Sequence, residues 1–351
     1  MSETPTLEAP VPASPPLARY TRVPSPWLKV LWPVAALILL LLFDLIFVPH
    51  FFRVSVSQGH LSGSLIDVFR LAAPVMLVSV GMTLVLATGG VDLSVGAIMA
   101  LAGAVAARLM VAAPDGANLS PWVAALAALG VALLCGAWNG ALVAMLDIQP
   151  IVATLVLMIA GRGLAMEFIG SGYVDVHGAL FNRLHGYVLG LPAAGLLALL
   201  VFAATGAFAR GTSAGLLIEA TGANKVASRF AGVNVVLVTF LTYVFCGFCS
   251  GLAGLVAAAD IQKANAIHTG MYLELDAILA AVIGGTSLIG GRFSILGALI
   301  GALLIQTLTT TLTYKVPVEY TLVVKAIVVL AVCLLQSDTF RRKVFGGRAV
   351  A

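Results

Sequence analysis

From Leu71 to Thr88 the sequence is almost wholly apolar. It then reads Thr88-Gly89-Gly90-Val91-Asp92-Leu93-Ser94-Val95-Gly96 and resumes as an apolar run from Ala97 to Ala113. Glycine costs a helix about 1 kcal/mol against alanine, and an aspartate at bilayer depth is costly unless it is paired, capped or wetted. Lipid excludes irregular backbone, because freed N–H and C=O groups find no partner there, so such a break has to be enclosed by protein or line a water-filled path. A second interruption, Ala281-Val282-Ile283-Gly284-Gly285-Thr286-Ser287-Leu288-Ile289-Gly290-Gly291, again lies between apolar runs. Two matching breaks predict two pseudo-symmetric halves with discontinuous helices at Gly89-Gly90 and Gly284-Gly285.

The remaining chain fits an all-α polytopic membrane protein. It is 61% hydrophobic and only 10% charged, where a soluble domain carries about 25% charge. Residues 1–26 hold seven prolines among Ser, Thr and Ala, which predicts a disordered cytoplasmic tail ahead of a transmembrane domain over 27–337 and a basic cytoplasmic tail over 338–351. Cutting at polar or glycine-rich punctuation gives about ten spans, near 28–49, 70–89, 95–113, 121–146, 151–170, 188–209, 235–259, 276–290, 293–313 and 320–336. Spans two and eight each end at a glycine break, so either could be re-entrant. Lys and Arg concentrate on alternate connections, including Arg210, Lys225, Arg229, Arg292 and Arg341, which places both termini in the cytoplasm. All five histidines then fall on the outer side. The four cysteines lie inside apolar runs, so Cys246 and Cys249 read as packing residues despite their C-x-x-C spacing.

The largest inner loop, Arg210 to Asn234, has Leu216, Leu217, Ala220, Ala223, Ala227 and Phe230 at helical spacing. That periodicity predicts one amphipathic helix on the cytoplasmic surface, about 216–232, suited equally to lipid headgroups or to another protein. Gly211-Thr212-Ser213-Ala214-Gly215 matches the nucleophile-elbow pattern, but every histidine is predicted across the membrane from Ser213. No lysine follows a glycine, so the phosphate-cradling P-loop is absent.

Thr239, Tyr243, Cys246 and Ser250 share one helix face, as do Gln306, Thr310 and Thr313. Such stripes line a path or bond helices together. Gly297 and Gly301 permit close helix contact. Ionisable residues within spans are functional candidates by default. Here they are Asp44, Asp92, Arg162, Glu167, Asp276 and Lys325, the last placed where it can snorkel outward. Arg162 and Glu167 are badly spaced for a same-helix pair, so their partners are expected on other helices. Trp138-Asn139-Gly140 and Gln149-Pro150 offer a ring and amides that suit either sugar contact or packing.

Taken together, the stretches over 81–103, 138–165, 218–235 and 273–301 resemble the membrane permeases of bacterial ABC importers for ribose, xylose, galactose and related monosaccharides. The likeness spans about Arg70 to Ala331 and is strongest to the galactofuranose-type branch, echoed in MYLELDAILAAVIGG. The resemblance implies residence in the bacterial inner membrane and pairing with a second permease subunit. It also implies two cytoplasmic ATPase subunits, which would carry the ATP and Mg, and a periplasmic sugar-binding protein. No cofactor is expected on this chain, no enzymatic activity and no nucleic-acid partner. The 218–235 stretch occupies the family's coupling-helix position, which assigns Glu219, Thr221, Gly222, Asn224, Ser228, Arg229 and Gly232 to ATPase docking; Ala227-Ser228 stands where the family has two alanines.

The expected function is import of galactofuranose or a related sugar by alternating access, around a path opened at the glycine breaks. Gly89, Gly90, Asp92, Ser94, Trp138, Asn139, Arg162, Glu167, Tyr243, Asp276, Gly284 and Gly285 are the candidate pathway residues. The rival reading is an ion- or proton-coupled secondary transporter, which also uses broken helices and buried carboxylates.

Overall fold

The structure, a computed structural model, describes residues 26–57, 59–111 and 119–336. Nearly all of the proline-rich tail and the basic tail expected at 338–351 lie outside these residues.

The chain runs α1 (Pro26–Phe47), a hairpin of β1 (Ser55–Ser57) and β2 (His60–Ser62), α2 (Ser64–Ala87), α3 (Val95–Val111), α4 (Pro121–Gly140) and α5 (Pro150–Ile169). It continues through β3 (Tyr173–Asp175), α6 (Ala179–His185), β4 (Tyr187–Val188), β5 (Leu191–Pro192), α7 (Ala193–Gly211), α8 (Ala214–Ala223) and α9 (Lys225–Phe230). It ends with α10 (Val235–Ile261), β6 (Lys263–Asn265), α11 (Leu273–Ile283), α12 (Ile295–Lys315) and α13 (Val318–Gln336). Among the described residues six helices are long and apolar enough to cross a membrane: α2, α4 with the π turn that prolongs it to Met145, α5, α7, α10 and α12. The chain is a mostly helical, polytopic membrane protein.

Burial shows how these apolar helices divide the work. α2 is the axis, with every residue from Val75 to Ala87 buried. α4, α5 and α7 instead turn Leu134, Ile159 and Leu200 outward, a pattern stable only where lipid replaces water. Glycines bring α10 close to α4, since a Cβ at Gly247 would stand 2.6 Å from the Ala132 carbonyl and 2.8 Å from the Gly136 Cα. Gly81 of α2 likewise meets Cys246 and Cys249 of α10, which are free thiols used as small packing groups. Small residues at contacts are how helices associate when lipid removes the hydrophobic drive between them.

The expected span over 276–290 is shortened. Its helix, α11, covers only 11 residues, about 16 Å of a hydrocarbon core about 30 Å thick. The chain reaches α11 through a descending segment, 266–272, held by side chains of other elements. The Arg162 guanidinium, from α5, donates to the carbonyls of Ala266, Ile267 and Thr269 at 3.0, 2.9 and 2.7 Å. The Asn265 amide bonds the Gly172 carbonyl and accepts from the Ile267 and His268 amides. At the turn the Gly96 and Gly270 backbones touch, and a Cβ on either would overlap the other. Lys325 does not snorkel outward: its ammonium lies 2.7 Å from Asp276, tying α13 to α11. Asp44 of α1 accepts from the Thr311 hydroxyl of α12 at 2.8 Å.

Candidate functional site

Both glycine breaks end their helices with the same hydrogen bonds. After α2, Gly89 N–H bonds the Leu86 carbonyl at 2.9 Å and Gly90 N–H bonds Val85 at 3.0 Å. After α11, Gly285 N–H bonds Val282 at 2.9 Å and Thr286 N–H bonds Ala281 at 3.0 Å. These are Schellman caps, which need a left-handed residue at the first position past the helix. Gly89 and Gly285 supply it, at φ +78° and +91°.

The two breaks meet. Gly291 N–H, from the second, donates to the Ala87 carbonyl at the end of α2, 2.9 Å away. Gly222, in the last turn of α8, lies against both, and a Cβ there would overlap the Ala87 carbonyl and the Gly291 amide. Gly290 in turn faces the Gly222 carbonyl and the Gly89 amide. Three segments far apart in sequence thus share one backbone contact, and side chains are excluded from its centre.

The inner loop that delivers Gly222 is not the single helix that its periodicity predicts. It bends at Asn224 into α8 and α9, and the Asn224 side chain caps α9 by accepting from Ala227 N–H at 2.9 Å. The Ser228 hydroxyl bonds back to the Ala220 carbonyl at 2.8 Å and fixes the bend. A third Schellman cap, with Gly232 at φ +84°, closes α9. Gly215, Ile218 and Thr221 form the buried face of α8. Much of the recurring apolar series faces outward instead, with Leu216 70% and Phe230 90% exposed beside Val226. Of the seven residues expected to dock an ATPase, Thr221, Gly222, Asn224, Ser228 and Gly232 build this elbow, while Arg229 is exposed and Glu219 half-buried.

Past Gly90 the chain re-enters the protein. Asp92 accepts from Ser94 N–H at 3.0 Å, from the Ser94 hydroxyl at 2.6 Å and from the Asn139 amide at 3.3 Å. Asn139 also donates to Ser94 Oγ at 2.8 Å, and the Tyr243 hydroxyl donates to the Val91 carbonyl at 3.2 Å. Asp92, Ser94, Asn139 and Tyr243 are buried, and Asp92 closes an Asx turn on Ser94 just ahead of α3, where a carboxylate also meets the favourable end of the helix dipole. Six pathway candidates (Gly89, Gly90, Asp92, Ser94, Asn139 and Tyr243) gather here. The others do not. Trp138 is 56% exposed on the outside of α4, turned away from its neighbour Asn139 by the helix. Glu167 is exposed, Arg162 clamps the descending segment, and Asp276 is paired with Lys325. Sequence reasoning missed Gly96, Gly270 and Gly290, whose only signal is glycine beside an apolar run. Tyr243 apart, the polar stripes on α10 and α12 bond within their helices, as in Ser250 to Cys246 and Gln306 to Thr310. Among the described residues no three His, Cys, Asp or Glu side chains come together to hold a metal.

Comparison with known proteins adds the family. The family model for "Branched-chain amino acid transport system / permease component" matches residues 64–333. The chain is 46% identical over 332 residues to the galactofuranose transporter permease protein YtfT of Escherichia coli (strain K12), covering 93% of this chain and 96% of that one. It is 39% identical to the fructose import permease protein FruF of Bifidobacterium longum (strain NCC 2705), covering 87% of each. It is 35% identical to the ribose import permease protein RbsC of Escherichia coli (strain K12), covering 89% and 94%. No solved structure matches the chain. The broken helices, their shared elbow and these matches place the chain in the branched-chain amino acid transport system permease-component family, among the permeases of sugar ABC transporters.

Proposed function

We propose that this chain is the permease subunit of an ATP-driven importer that moves one monosaccharide, of the kind named for its relatives, into the cytoplasm. The observation that carries the reading is Gly222: one elbow touches the end of α2 and the loop that joins α11 to α12, so a force on α8–α9 reaches both breaks at once. The elbow also presents unpartnered apolar side chains, Leu216, Val226 and Phe230, with Arg229 beside them. That surface suits a cytoplasmic ATPase subunit carrying the ATP and Mg. The functional unit would add a second permease subunit and a periplasmic sugar-binding protein, with both termini of this chain cytoplasmic. Selectivity would then reside largely in the binding protein.

Ion coupling finds less support. Asp44 is engaged by Thr311 and Asp276 by Lys325, while Asp92 is engaged by Ser94 and Asn139 through Oδ1, with its buried Oδ2 unpartnered among the described residues. The test is reconstitution in proteoliposomes with the partner ATPase and binding protein. Uptake that requires ATP hydrolysis and survives collapse of the proton gradient is expected. Uptake that ignores ATP hydrolysis would contradict the reading.

A further inference from the structure

At the end of the bundle opposite α8, a cavity of about 250 Å³ opens between the first turns of α2, the last turns of α10 and the descending segment before α11. Its mouth is polar. Arg70 and Asp260 pair across it at 3.3 Å, with Asp67 a further 3.7 Å contact of Arg70, and the buried Arg70 Nε has no hydrogen-bond partner among the described residues. Tyr173, His268 and Thr269 complete the rim, and Met99 and Leu273 form an apolar floor. The wall is fixed, because Arg162 holds the carbonyls of Ala266, Ile267 and Thr269. No residue of the Asp92 cluster or of the elbow lines it.

We propose that this cavity is the receiving site for the transported solute and that it takes a single neutral sugar ring, an assignment that rests on the importer reading. Its volume lies below the roughly 300–1,000 Å³ of pockets for drug-sized ligands, which suits one ring and excludes a disaccharide. Arg70 is balanced by two carboxylates, so the site carries no surplus positive charge for an anion. The pair instead offers fixed donors and acceptors side by side, which is what neighbouring hydroxyls require. The apolar floor matches the C–H face of the ring.

The position fits a waiting site. Val256, in the cavity wall, lies 13 residues along α10 from Tyr243 of the Asp92 cluster, about 20 Å at 1.5 Å per residue. Gly270 of the cavity lining meets the backbone of Gly96, four residues past Asp92. The segment that walls the cavity continues directly into α11, and the loop that leaves α11 rests on the elbow at Gly290 and Gly291. Solute and motor therefore act on the segments that enter and leave one short helix.

The test uses the reconstituted complex with radiolabelled D-galactose, D-fructose and D-ribose as probes. Ala257→Cys places a thiol in the cavity wall with little change in volume, and the wild-type chain reports background labelling. The untreated Ala257→Cys complex sets the reference uptake for each sugar. After reaction with a bulky, membrane-impermeant maleimide, uptake should fall at least tenfold while assembly and basal ATPase activity persist, and saturating sugar should slow the labelling at least threefold. Full modification with unchanged uptake, or labelling indifferent to sugar, overturns the cavity assignment and leaves the importer reading standing. A wild-type complex that moves none of the three sugars under ATP overturns the importer reading and this assignment with it.

Discussion

The two glycine breaks begin alike and end differently. Each closes its helix with the same cap on a left-handed glycine, Gly89 or Gly285. Beyond the first, seven residues cross the interior to α3, and α10 packs against the helices on both sides. A buried set of side chains, Asp92 with Ser94, Asn139 and Tyr243, pins that crossing. Beyond the second, the chain folds back as a tight hairpin, with Gly297 against Gly284 and Gly301 against the Ala280 carbonyl. Its loop is held by lighter bonds, such as Ser287 N–H to the Arg292 carbonyl, and leaves Leu288 and Ile289 exposed. The first strand of chain is pinned at several buried points, although Asp92 Oδ2 and Asn139 Oδ1 have no hydrogen-bond partner among the described residues, whereas one held by backbone contacts at its margins opens locally at low cost. On the importer reading, that difference predicts an anchor at the first break and motion at the second.

The largest expected effect comes from dissolving the anchor. Asp92→Ala strands the buried Ser94 N–H and hydroxyl donors, each worth about 1–3 kcal/mol when left unsatisfied. Thermal unfolding in detergent should show a loss of about 3–5 kcal/mol, while Ser287→Ala in the second break changes stability by under about 0.5 kcal/mol. Equal losses would break the comparison. Next is Gly301→Val, whose side chain would overlap the Ala280 carbonyl. It should part α11 from α12 at a cost of about 1–3 kcal/mol, whereas Gly130→Val, with open space around it, should be silent in the same melt. Gly89→Ala and Gly285→Ala sharpen the comparison, since identical caps predict similar stability losses of about 1–2 kcal/mol. Uptake should nonetheless fall further for Gly285→Ala, because it stiffens the moving break. The smallest effect on the fold is expected for Phe230→Ala, within about 0.5 kcal/mol, and it should show instead as weaker co-purification of the ATPase.

Much of this was legible beforehand, for reasons that differ by residue. The spans and the breaks follow from run length and from paired glycines, signals that lipid leaves little freedom to override. The bend at Asn224 was hidden because the apolar series 216–230 keeps helical spacing across it; the overlooked clue was an asparagine two residues after Gly222, a cap at a helix end. Trp138 misled because adjacent helical residues point about 100° apart, so its ring cannot share a site with Asn139. The role of Arg162 was unreadable, since its partners are main-chain carbonyls, which leave no mark in sequence. The cavity was invisible for the same reason: its wall depends on that clamp and on Gly96 meeting Gly270.

The central claim is that the elbow rests on the second break and drives it. Ala223→Cys with Gly291→Cys tests this most directly, since the Ala223 Cβ lies 3.1 Å from the position a Cβ would take at Gly291. Oxidation of membranes holding the double variant should cross-link the pair in high yield and abolish ATP-driven uptake, with reduction restoring it. Two reactive thiols that fail to cross-link, or a cross-linked transporter that still imports at full rate, would contradict the account.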